Sequence, residues 1–429
     1  MSKVALATVG CKTNQYETEV IRERLELAGW KIVPFSSVAD VYIINTCTVT
    51  GRADQKSISM IKKALKGNSS AKIFVTGCLV ESDFEKIRKK FPQVQIVRNV
   101  DKLKIDTLLT PEASSNTNFT IHRFSGHERA FVKVEDGCNQ FCTYCKVPYV
   151  RGSKIRSRDW KEVVFEIKKL LRAGYREIVV TGVNLALYGK DFTPSLSLTY
   201  LLQKILPYMK GKGRIRLSSL EPHLIPDDLL DLMASEETIC PHLHLSLQSG
   251  DDKILEKMGR KYTTSQIKNL VEKFREKIPE VGITGDIIVG FPGEEEENFC
   301  KTCEFVKELQ VHRLHIFTFS PRAETPASKM RPKVPEKIKK ERSFILKQLS
   351  YKLSQKFINR FVGKNLSVLI ESKKDPKTGY FTGYTHNYIK VLVPPTGDNI
   401  QKLIGEIVPV KIKKAKPGYA VGEISNNFG

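Results

Sequence analysis

Three cysteines lie close together in one short run, Cys138-Asn-Gln-Phe-Cys142-Thr-Tyr-Cys145. Three thiolates on one loop can hold three irons of a four-iron cluster, which leaves the fourth iron without a protein ligand. An open iron is of little use to an electron carrier, but it allows a small ligand to chelate the metal. Zinc also takes three thiolates, although it prefers a Cys-x2-Cys pair with a fourth ligand nearby. The spacing favours an iron–sulfur cluster with one open position and keeps zinc as the alternative.

Three further cysteines each follow a predicted strand. Residues 3–9, 40–47 and 71–78 contain short apolar runs separated by helical patterns, which predicts a parallel sheet with crossover helices. The carboxyl ends of parallel strands meet at one edge of a sheet. We therefore expect a second three-thiolate site at that edge, with three unrelated buried thiols as the alternative. Its residues are Cys11, Cys47 and Cys78.

The elements around these cysteines predict two α/β domains. The N-terminal domain, 1–112, is expected to be parallel and flavodoxin-like, and a Ser-, Thr- and Asn-rich linker follows it. The central domain, 126–358, is expected to be a partial (β/α)6 barrel. Helices of the first domain are predicted at 15–28, 52–66 and 82–90. Strands of the second are predicted at 130–134, 177–181, 214–220, 242–247, 285–289 and 313–319.

The last domain, 361–427, is predicted to be all-β. Apolar and polar residues alternate there between Gly and Pro turns, as in a small β-barrel. Its strands are predicted at 366–370, 379–384, 388–393 and 407–412. A basic amphipathic helix precedes it at 335–360. The apolar positions of that helix are Ile338, Phe344, Ile345, Leu349, Leu353 and Phe357.

The composition describes a basic globular chain. A net charge of +23 and 41% hydrophobic residues in 429 exclude a mostly disordered protein. No apolar run approaches the roughly 18 residues that span a bilayer, so we expect a cytoplasmic protein without a membrane partner. From Arg322 onward 22 Lys and Arg face 8 Asp and Glu. This excess points to a polyanion such as nucleic acid, with a solubilising surface as the alternative.

The remaining cysteines and the eight histidines give weaker signals. Cys300 and Cys303 stand at helical spacing and are expected to share a core-facing stripe. Cys240 precedes a proline and is expected to be structural. The spacings of the histidines do not predict a metal site.

These motifs resemble the radical S-adenosylmethionine methylthiotransferase family along essentially the whole chain. The Cys-x3-Cys-x2-Cys loop is similar to the family's cluster loop, and the last domain resembles the RNA-binding TRAM domain. The matching segments are 10–19, 45–50, 75–78, 131–152, 217–222, 247–250 and 285–294. The first two segments look most like the bacterial-type subgroup that acts on threonylcarbamoyladenosine in tRNA.

The resemblance implies an enzyme that converts N6-threonylcarbamoyladenosine at tRNA position 37, beside the anticodon, into its 2-methylthio derivative. It implies a [4Fe-4S] cluster on each cysteine triad, with S-adenosylmethionine bound and cleaved at the cluster held by Cys138, Cys142 and Cys145. The implied partners are the anticodon stem-loop, an external electron donor and a sulfur source. The alternatives are isopentenyladenosine in tRNA, an aspartate of a ribosomal protein, and a non-catalytic zinc-containing RNA-binding protein.

Cofactor contacts are expected in the cluster loop and at the strand ends of the central barrel, where loop capping is the alternative role for a polar residue. They are Tyr144, Thr181, Gly182, Asn184, Ser219, Glu221 and Gln248. RNA contacts are expected after the cluster loop and on the last domain, where a core position is the alternative for an aromatic residue. They are Arg151, Arg156, Arg158, Lys373, Lys374, Tyr384, Lys411, Lys413 and Lys414.

One position departs from the family pattern. The run Ser320-Pro-Arg-Ala-Glu-Thr-Pro-Ala327 has Glu324 where the family usually has glycine. If the backbone there has a positive φ, a glutamate costs about 1 kcal/mol of strain.

Overall fold

A computed structural model describes residues 2–110, 120–395 and 400–425. In the N-terminal domain five parallel strands pair in the order β2-β1-β3-β4-β5, the flavodoxin-like order that the sequence predicted. The strands are β1 (Lys3–Thr8), β2 (Lys31–Val33), β3 (Val41–Thr46), β4 (Lys72–Gly77) and β5 (Gln95–Ile96). The helices are α1 (Lys12–Leu27), α2 (Gly51–Gly67), α3 (Cys78–Ser82), α4 (Phe84–Lys90) and α5 (Ile105–Leu109).

Both faces of this sheet are covered, which explains its continuous apolar strands. All six residues of β3 are buried. Val41 and Ile43 pack with Ile21 of α1, whereas Tyr42 and Ile44 pack with Ile61 of α2. A sheet with helices on both faces requires such uninterrupted apolar runs.

The central domain is an open barrel of six parallel strands, as predicted. The order is β6, β9, β10 with β11, β12, β13 and β14, since β10 and β11 continue one another around Ser218. These strands are β6 (Arg129–Lys133), β9 (Glu177–Thr181), β10 (Arg214–Leu217), β11 (Ser219–Leu220), β12 (His242–Gln248), β13 (Gly282–Val289) and β14 (Arg313–Thr318). A short antiparallel pair is formed by β7 (Glu135–Asp136) and β8 (Arg156–Ser157). The helices are α6 (Val147–Val150), α7 (Trp160–Arg172), α8 (Leu198–Met209), α9 (Asp227–Ser235), α10 (Asp252–Lys257), α11 (Thr264–Lys277), α12 (Glu296–Glu308) and α13 (Glu336–Asn359).

The N-terminal domain spans the gap between the two edge strands of the open barrel, β6 and β14. On the β6 side, Tyr16 of α1 donates a hydrogen bond to Glu166 Oε1 at 3.0 Å. On the β14 side, Arg322 Nη2 donates to Thr48 Oγ1 at 2.8 Å. The barrel is therefore closed laterally by another domain rather than by further strands of its own.

The C-terminal domain is a closed five-stranded barrel of order β15-β16-β17-β19-β18. Its strands are β15 (Asn365–Lys374), β16 (Phe381–Thr385), β17 (Lys390–Val393), β18 (Ile407–Lys416) and β19 (Tyr419–Ile424). The sequence predicted four of them and missed β19. The barrel packs against the amino-terminal ends of the central strands, where the rings of His242 and Tyr388 stack with centroids 4.4 Å apart. Residues 426 and 427, the end of the predicted domain, lie outside the described residues.

Two packing predictions were wrong. Phe344 and Ile345 of α13 are 63% and 47% exposed, whereas Arg342 is buried because its Nη1 donates to the Glu294 carbonyl at 2.9 Å. The predicted positions Leu349, Leu353 and Phe357 do pack in the core, so the apolar pattern fails only at Phe344 and Ile345. Cys300 is exposed while Cys303 lies half-buried against the core, so they do not share one buried stripe. No helix in the described ranges is long and apolar enough to cross a membrane.

Candidate functional site

The cluster loop connects β6 and β7 to α6 at the carboxyl end of the barrel strands. Cys145 N donates to the Cys142 carbonyl at 3.0 Å, and Cys138 N donates to the Gly152 carbonyl at 3.2 Å, which folds the loop back on itself. Burial, with a smaller contribution from the nearby Cys142 and Cys138 sulfurs, raises the pKa of the Cys145 thiol to about 12. A buried thiol of this kind loses its proton when a metal binds the sulfur, so the loop fits a thiolate-ligated cluster.

Arg260 lies beside this loop, and sequence reasoning missed it. Its Nη1 is 3.1 Å from Cys142 Sγ and 3.3 Å from the Tyr144 hydroxyl. Its Nη2 pairs with Glu221 Oε1 at 2.5 Å. Only the fold brings these residues together, because Arg260 stands 118 residues from Cys142 in the chain. The arrangement places a buried cation between the cluster loop and the Glu221 carboxylate.

The end of β9 also reaches the cluster loop. Burial raises the pKa of the Cys138 thiol, and a side-chain hydrogen bond from Asn184 partly offsets that increase. The backbone N–H of Asn184 donates a hydrogen bond to Glu135 Oε2 at 2.8 Å. A Cβ at Gly182 would lie 2.6 Å from the same oxygen, so the absence of a side chain there leaves room for the Glu135 carboxylate. Thr181, the last residue of β9, is buried.

Glu135 is a second residue that sequence reasoning missed. Burial raises the pKa of its carboxyl to about 8, and its Oε1 has no hydrogen-bond partner among the described residues. Gln248, at the end of β12, is buried with φ +64, a strained conformation for a residue with a side chain. Ser219 is half-buried at the start of β11. Unpaired and strained polar groups thus collect at the strand ends expected to hold the cofactor.

The second cysteine triad assembles at the carboxyl edge of the N-terminal sheet, as the strand-end argument predicted. Cys47 is buried after β3, Cys78 begins α3 after β4, and Cys11 is exposed between β1 and α1. Burial raises the pKa of the Cys47 thiol to about 12, and the Cys78 and Cys11 sulfurs contribute. Gly10 has φ +110, and a Cβ on it would lie 2.7 Å from Cys47 Sγ. Glycine is needed there for the chain to approach the Cys47 sulfur.

The two triads approach each other across one interface. The helix that begins at Cys78, α3, packs against α6, which begins two residues after Cys145. Arg151, just after α6, is buried; burial opposes its charge, but Glu17, Asp136 and the Cys78 and Cys11 sulfurs raise its pKa. The domain interface therefore brings the cluster loop and the N-terminal triad into one region.

Family models match three parts of the chain. The model described as "Uncharacterized protein family UPF0004" matches residues 3–99, the "Radical SAM superfamily" model matches 132–306, and the "TRAM domain" model matches 359–425.

Relatives match nearly the whole length. The threonylcarbamoyladenosine tRNA methylthiotransferase MtaB of Bacillus subtilis is 37% identical over 99% of this chain and 96% of its own. Its namesake from Aquifex aeolicus is 40% identical over 86% of this chain and 92% of its own. The tRNA-2-methylthio-N(6)-dimethylallyladenosine synthase of Acetivibrio thermocellus is 35% identical over 98% and 90%. The chain belongs to the radical S-adenosylmethionine methylthiotransferase family.

This radical S-adenosylmethionine methylthiotransferase uses S-adenosylmethionine and a [4Fe-4S] cluster, as its superfamily implies. The radical S-adenosylmethionine methyltransferase TsrM from Kitasatospora setae, with cobalamin and a [4Fe-4S] cluster bound, superposes with a TM-score of 0.56. The match covers 76% of this chain and 77% of that one at 15% identity, so it supports the fold.

Three cations after the cluster loop of the methylthiotransferase have protein partners, which corrects part of the expected RNA surface. Arg151 Nη1 lies 3.0 Å from Glu17 Oε1, and Arg158 Nη1 lies 2.7 Å from Glu166 Oε2; both arginine side chains are largely buried. Arg156 pairs with Asp136 but remains 52% exposed. Arg151 and Arg158 join the N-terminal and central domains, and only Arg156 remains available to a phosphate.

The C-terminal barrel of the methylthiotransferase divides its predicted RNA residues into two groups. Lys373 and Lys374 are exposed near the end of β15. The second group, Lys411, Lys413 and Lys414, is exposed on β18 beside the start of β15. Asn365 pairs with Lys411. Lys373 stands eight positions further along β15, which corresponds to about 26 Å of extended strand. The lysines therefore form two patches rather than one.

Tyr384, a predicted RNA contact, has aromatic and cationic partners within the protein. Its ring stacks on Tyr388 at 5.0 Å, and the Arg129 guanidinium lies 4.7 Å from its centroid. Its carbonyl accepts a hydrogen bond from Arg214 Nη2 at 2.7 Å. Tyr384 is half-buried at the interface between the C-terminal and central domains.

Glu324 adopts the positive φ considered above, +68. Its Oε2 lies 2.7 Å from Lys146 Nζ, and the Lys146 side chain is only 3% exposed. The carboxylate compensates the buried cation beside Cys145, which gives the unusual glutamate a local role.

Proposed function

We propose that this enzyme converts N6-threonylcarbamoyladenosine at tRNA position 37 into its 2-methylthio derivative, with a [4Fe-4S] cluster on each of its two cysteine triads. The observation that carries this is the meeting of the triads at one domain interface, Cys78 starting α3 and Cys145 preceding α6. Each triad offers three thiolates to a four-iron cluster and leaves one iron open. The names of the full-length relatives support the substrate.

The chemistry requires two open sites. The C2–H bond of adenosine is not acidic, so replacing its hydrogen calls for radical chemistry. When bound, the clusters and S-adenosylmethionine supply the radical, the methyl group and the sulfur. An external one-electron donor and a sulfur source complete the reaction.

The chain's own residues hold and orient these groups. Asn184 bonds Cys138, and Arg260 contacts Cys142, which fixes two sides of the cluster loop. The Arg260–Glu221 pair lies where the amino and carboxylate groups of the cofactor would need partners of opposite charge. The exposed lysine patches of the C-terminal barrel and Arg156 attract tRNA phosphates.

Nucleoside mass spectrometry tests the substrate. Anaerobically reconstituted protein is incubated with S-adenosylmethionine, a reductant and tRNA that carries either threonylcarbamoyladenosine or dimethylallyladenosine. We expect the methylthio product from the first tRNA. Product from the second tRNA alone, or from neither tRNA, would contradict the substrate assignment.

Iron and acid-labile sulfide analysis tests the cofactors. We expect about eight irons per chain in the wild type and about four in Cys47→Ala or Cys142→Ala. Cys47→Ala should retain 5′-deoxyadenosine formation, and Cys142→Ala should lose it. Cys300→Ala is the matched control, because Cys300 is exposed outside both triads and its loss should change neither value. Zinc without sulfide would refute the cluster assignment.

A further inference from the structure

A polar cluster lies on the inward face of the central barrel and has no role in the chemistry above. We call His244, Asp286 and His315 the lumen cluster. His244 Nε2 and His315 Nδ1 lie 3.1 Å and 3.2 Å from the same oxygen, Asp286 Oδ1. Their strand neighbours, such as Leu245 and Ile316, pack in the core between sheet and helices. Because side chains alternate along a strand, the cluster faces the lumen.

The hydrogen bonds of the lumen cluster leave one imidazole nitrogen for a ligand. His244 uses both nitrogens, since its Nδ1 is 2.8 Å from Thr284 Oγ1. His315 uses Nδ1 for Asp286, and within the described chain its Nε2 has no protein partner. Its side chain is 44% exposed, against 10% for His244. Phe317, two residues further along β14, is 40% exposed and faces the same way. The lumen thus offers a polar nitrogen beside a flat apolar surface.

A lysine of the N-terminal domain carries positive charge near the histidines of β12. Lys12 follows Cys11 and is half-buried. Burial chiefly lowers the pKa of His242 and His244, and the charge of Lys12 contributes to both shifts. Arg313 lies on the inward face of β14 below His315. This field favours an anionic ligand over a divalent cation, although two histidines and a carboxylate can bind metals.

We propose that the lumen cluster and Lys12 bind the carboxylate-bearing N6 substituent of the target adenosine, and so determine which modified nucleoside the enzyme accepts. The inference rests on the proposed function and assigns its specificity to named residues. Lys12 and His315 would contact the threonyl carboxylate and hydroxyl, while Asp286 and Thr284 hold the imidazoles in place. A dimethylallyl group has no polar atom to offer, so these residues would remain unpaired beside it.

Binding measurements separate this proposal from the proposed function. Filter binding at one salt concentration compares three tRNAs that differ only at position 37, which is unmodified, threonylcarbamoylated or dimethylallylated. We expect the wild type to prefer the threonylcarbamoylated tRNA about tenfold or more. Lys12→Met and His315→Leu should reduce that preference towards one and leave affinity for unmodified tRNA unchanged. Lys63→Met, at an exposed position of α2, is the matched control and should behave as wild type.

Turnover gives the second readout. In each lumen variant kcat/KM on threonylcarbamoylated tRNA should fall about tenfold or more, while 5′-deoxyadenosine formation without tRNA stays at the wild-type rate. Variants that keep the wild-type preference would overturn the pocket and leave the proposed function intact. A stoichiometric Zn²⁺ or Fe²⁺ bound by the wild type and lost in His315→Leu would also overturn it. A wild type that acts only on dimethylallylated tRNA would refute the proposed function itself.

Discussion

Replacing Glu17 by glutamine should loosen the attachment of the N-terminal domain to the central domain. The Glu17 side chain is 2% exposed and lies 3.0 Å from Arg151, 2.7 Å from Lys133 and 2.6 Å from Lys102. Arg151 and Lys133 belong to the central domain and Lys102 to the N-terminal domain, so one carboxylate of α1 neutralises cations of both domains. Removing the charge leaves Lys133 and Arg151 with Asp136, and leaves Lys102 with no carboxylate partner among the described residues. Breaking a buried pair of this kind costs about 3–5 kcal/mol.

The assay is thermal unfolding of Glu17→Gln beside Glu26→Gln. Glu26 is on the same helix and pairs with Arg123 at 3.0 Å, but the two side chains are 30% and 62% exposed. We expect Tm to fall by roughly 6 °C or more for Glu17→Gln, and by about 1 °C or less for the control, where a surface pair contributes little. Equal shifts in the two variants would refute the argument from burial.

The pH dependence supplies a second check. Burial opposes ionisation of Glu17, but Arg151, Lys102 and Lys133 outweigh it and hold the pKa of the carboxyl well below its ordinary value. A depressed pKa contributes stability above the unfolded-state pKa of about 4.3, and that contribution is lost as pH falls through the folded value. The difference between wild type and Glu17→Gln should stay constant from about pH 5 to 8 and shrink in more acidic solution. A difference that shrinks near neutral pH would refute the assignment.

Three further outcomes follow from the geometry. Glu324→Gly should lower Tm in the otherwise wild-type protein, because Lys146 loses its partner. In a Lys146→Met background the same substitution should raise the free energy of unfolding by about 1 kcal/mol, because only the relief of backbone strain remains. An effect of the same sign in both backgrounds would contradict this. Replacing Lys373 and Lys374 together by alanine should reduce the salt slope of tRNA binding by about 2, and an unchanged slope would remove that patch from the RNA surface. Phe344→Lys should leave Tm within about 1 °C of wild type, since the ring is 63% exposed; a large loss would restore the apolar face that the sequence predicted.

The periodicity of apolar residues and the positions of glycine and proline turns predicted most of the fold. Uninterrupted apolar strands identified the parallel sheets, and the strand-end rule brought Cys11, Cys47 and Cys78 together without any alignment. The missed strand β19, with its sequence Tyr-Ala-Val-Gly-Glu-Ile, has a glycine that weakens the strand pattern. The sequence also predicted one strand at 214–220, where the structure has β10 and β11. The break at Ser218 was missed because no glycine, proline or charged residue marks it in the sequence.

The sequence did not predict which charged side chains pair with one another in the folded chain. Arg151 and Arg158 were predicted as phosphate ligands because no acidic residue lies between Lys146 and Arg158. Their carboxylate partners are Glu17, 134 residues away in the chain, and Glu166, eight residues away on α7. The lumen cluster shows the same limit: His244, Asp286 and His315 come from three strands, and no spacing along the chain relates them. A count of charges predicts a polyanionic partner, but only the folded chain shows which charges are free.

The position of the C-terminal barrel has a consequence for the order of events. It covers one end of the central barrel through the Tyr388–His242 stack, and the N-terminal domain covers the open side. The lumen is then a blind pocket whose doorway is the end that carries the cluster loop. The cofactor at the cluster loop and the nucleotide whose N6 group would reach the lumen cluster both have to pass this one doorway. For a nucleotide presented by a large RNA, this predicts compulsory-order kinetics, in which one of the two has to bind before the other.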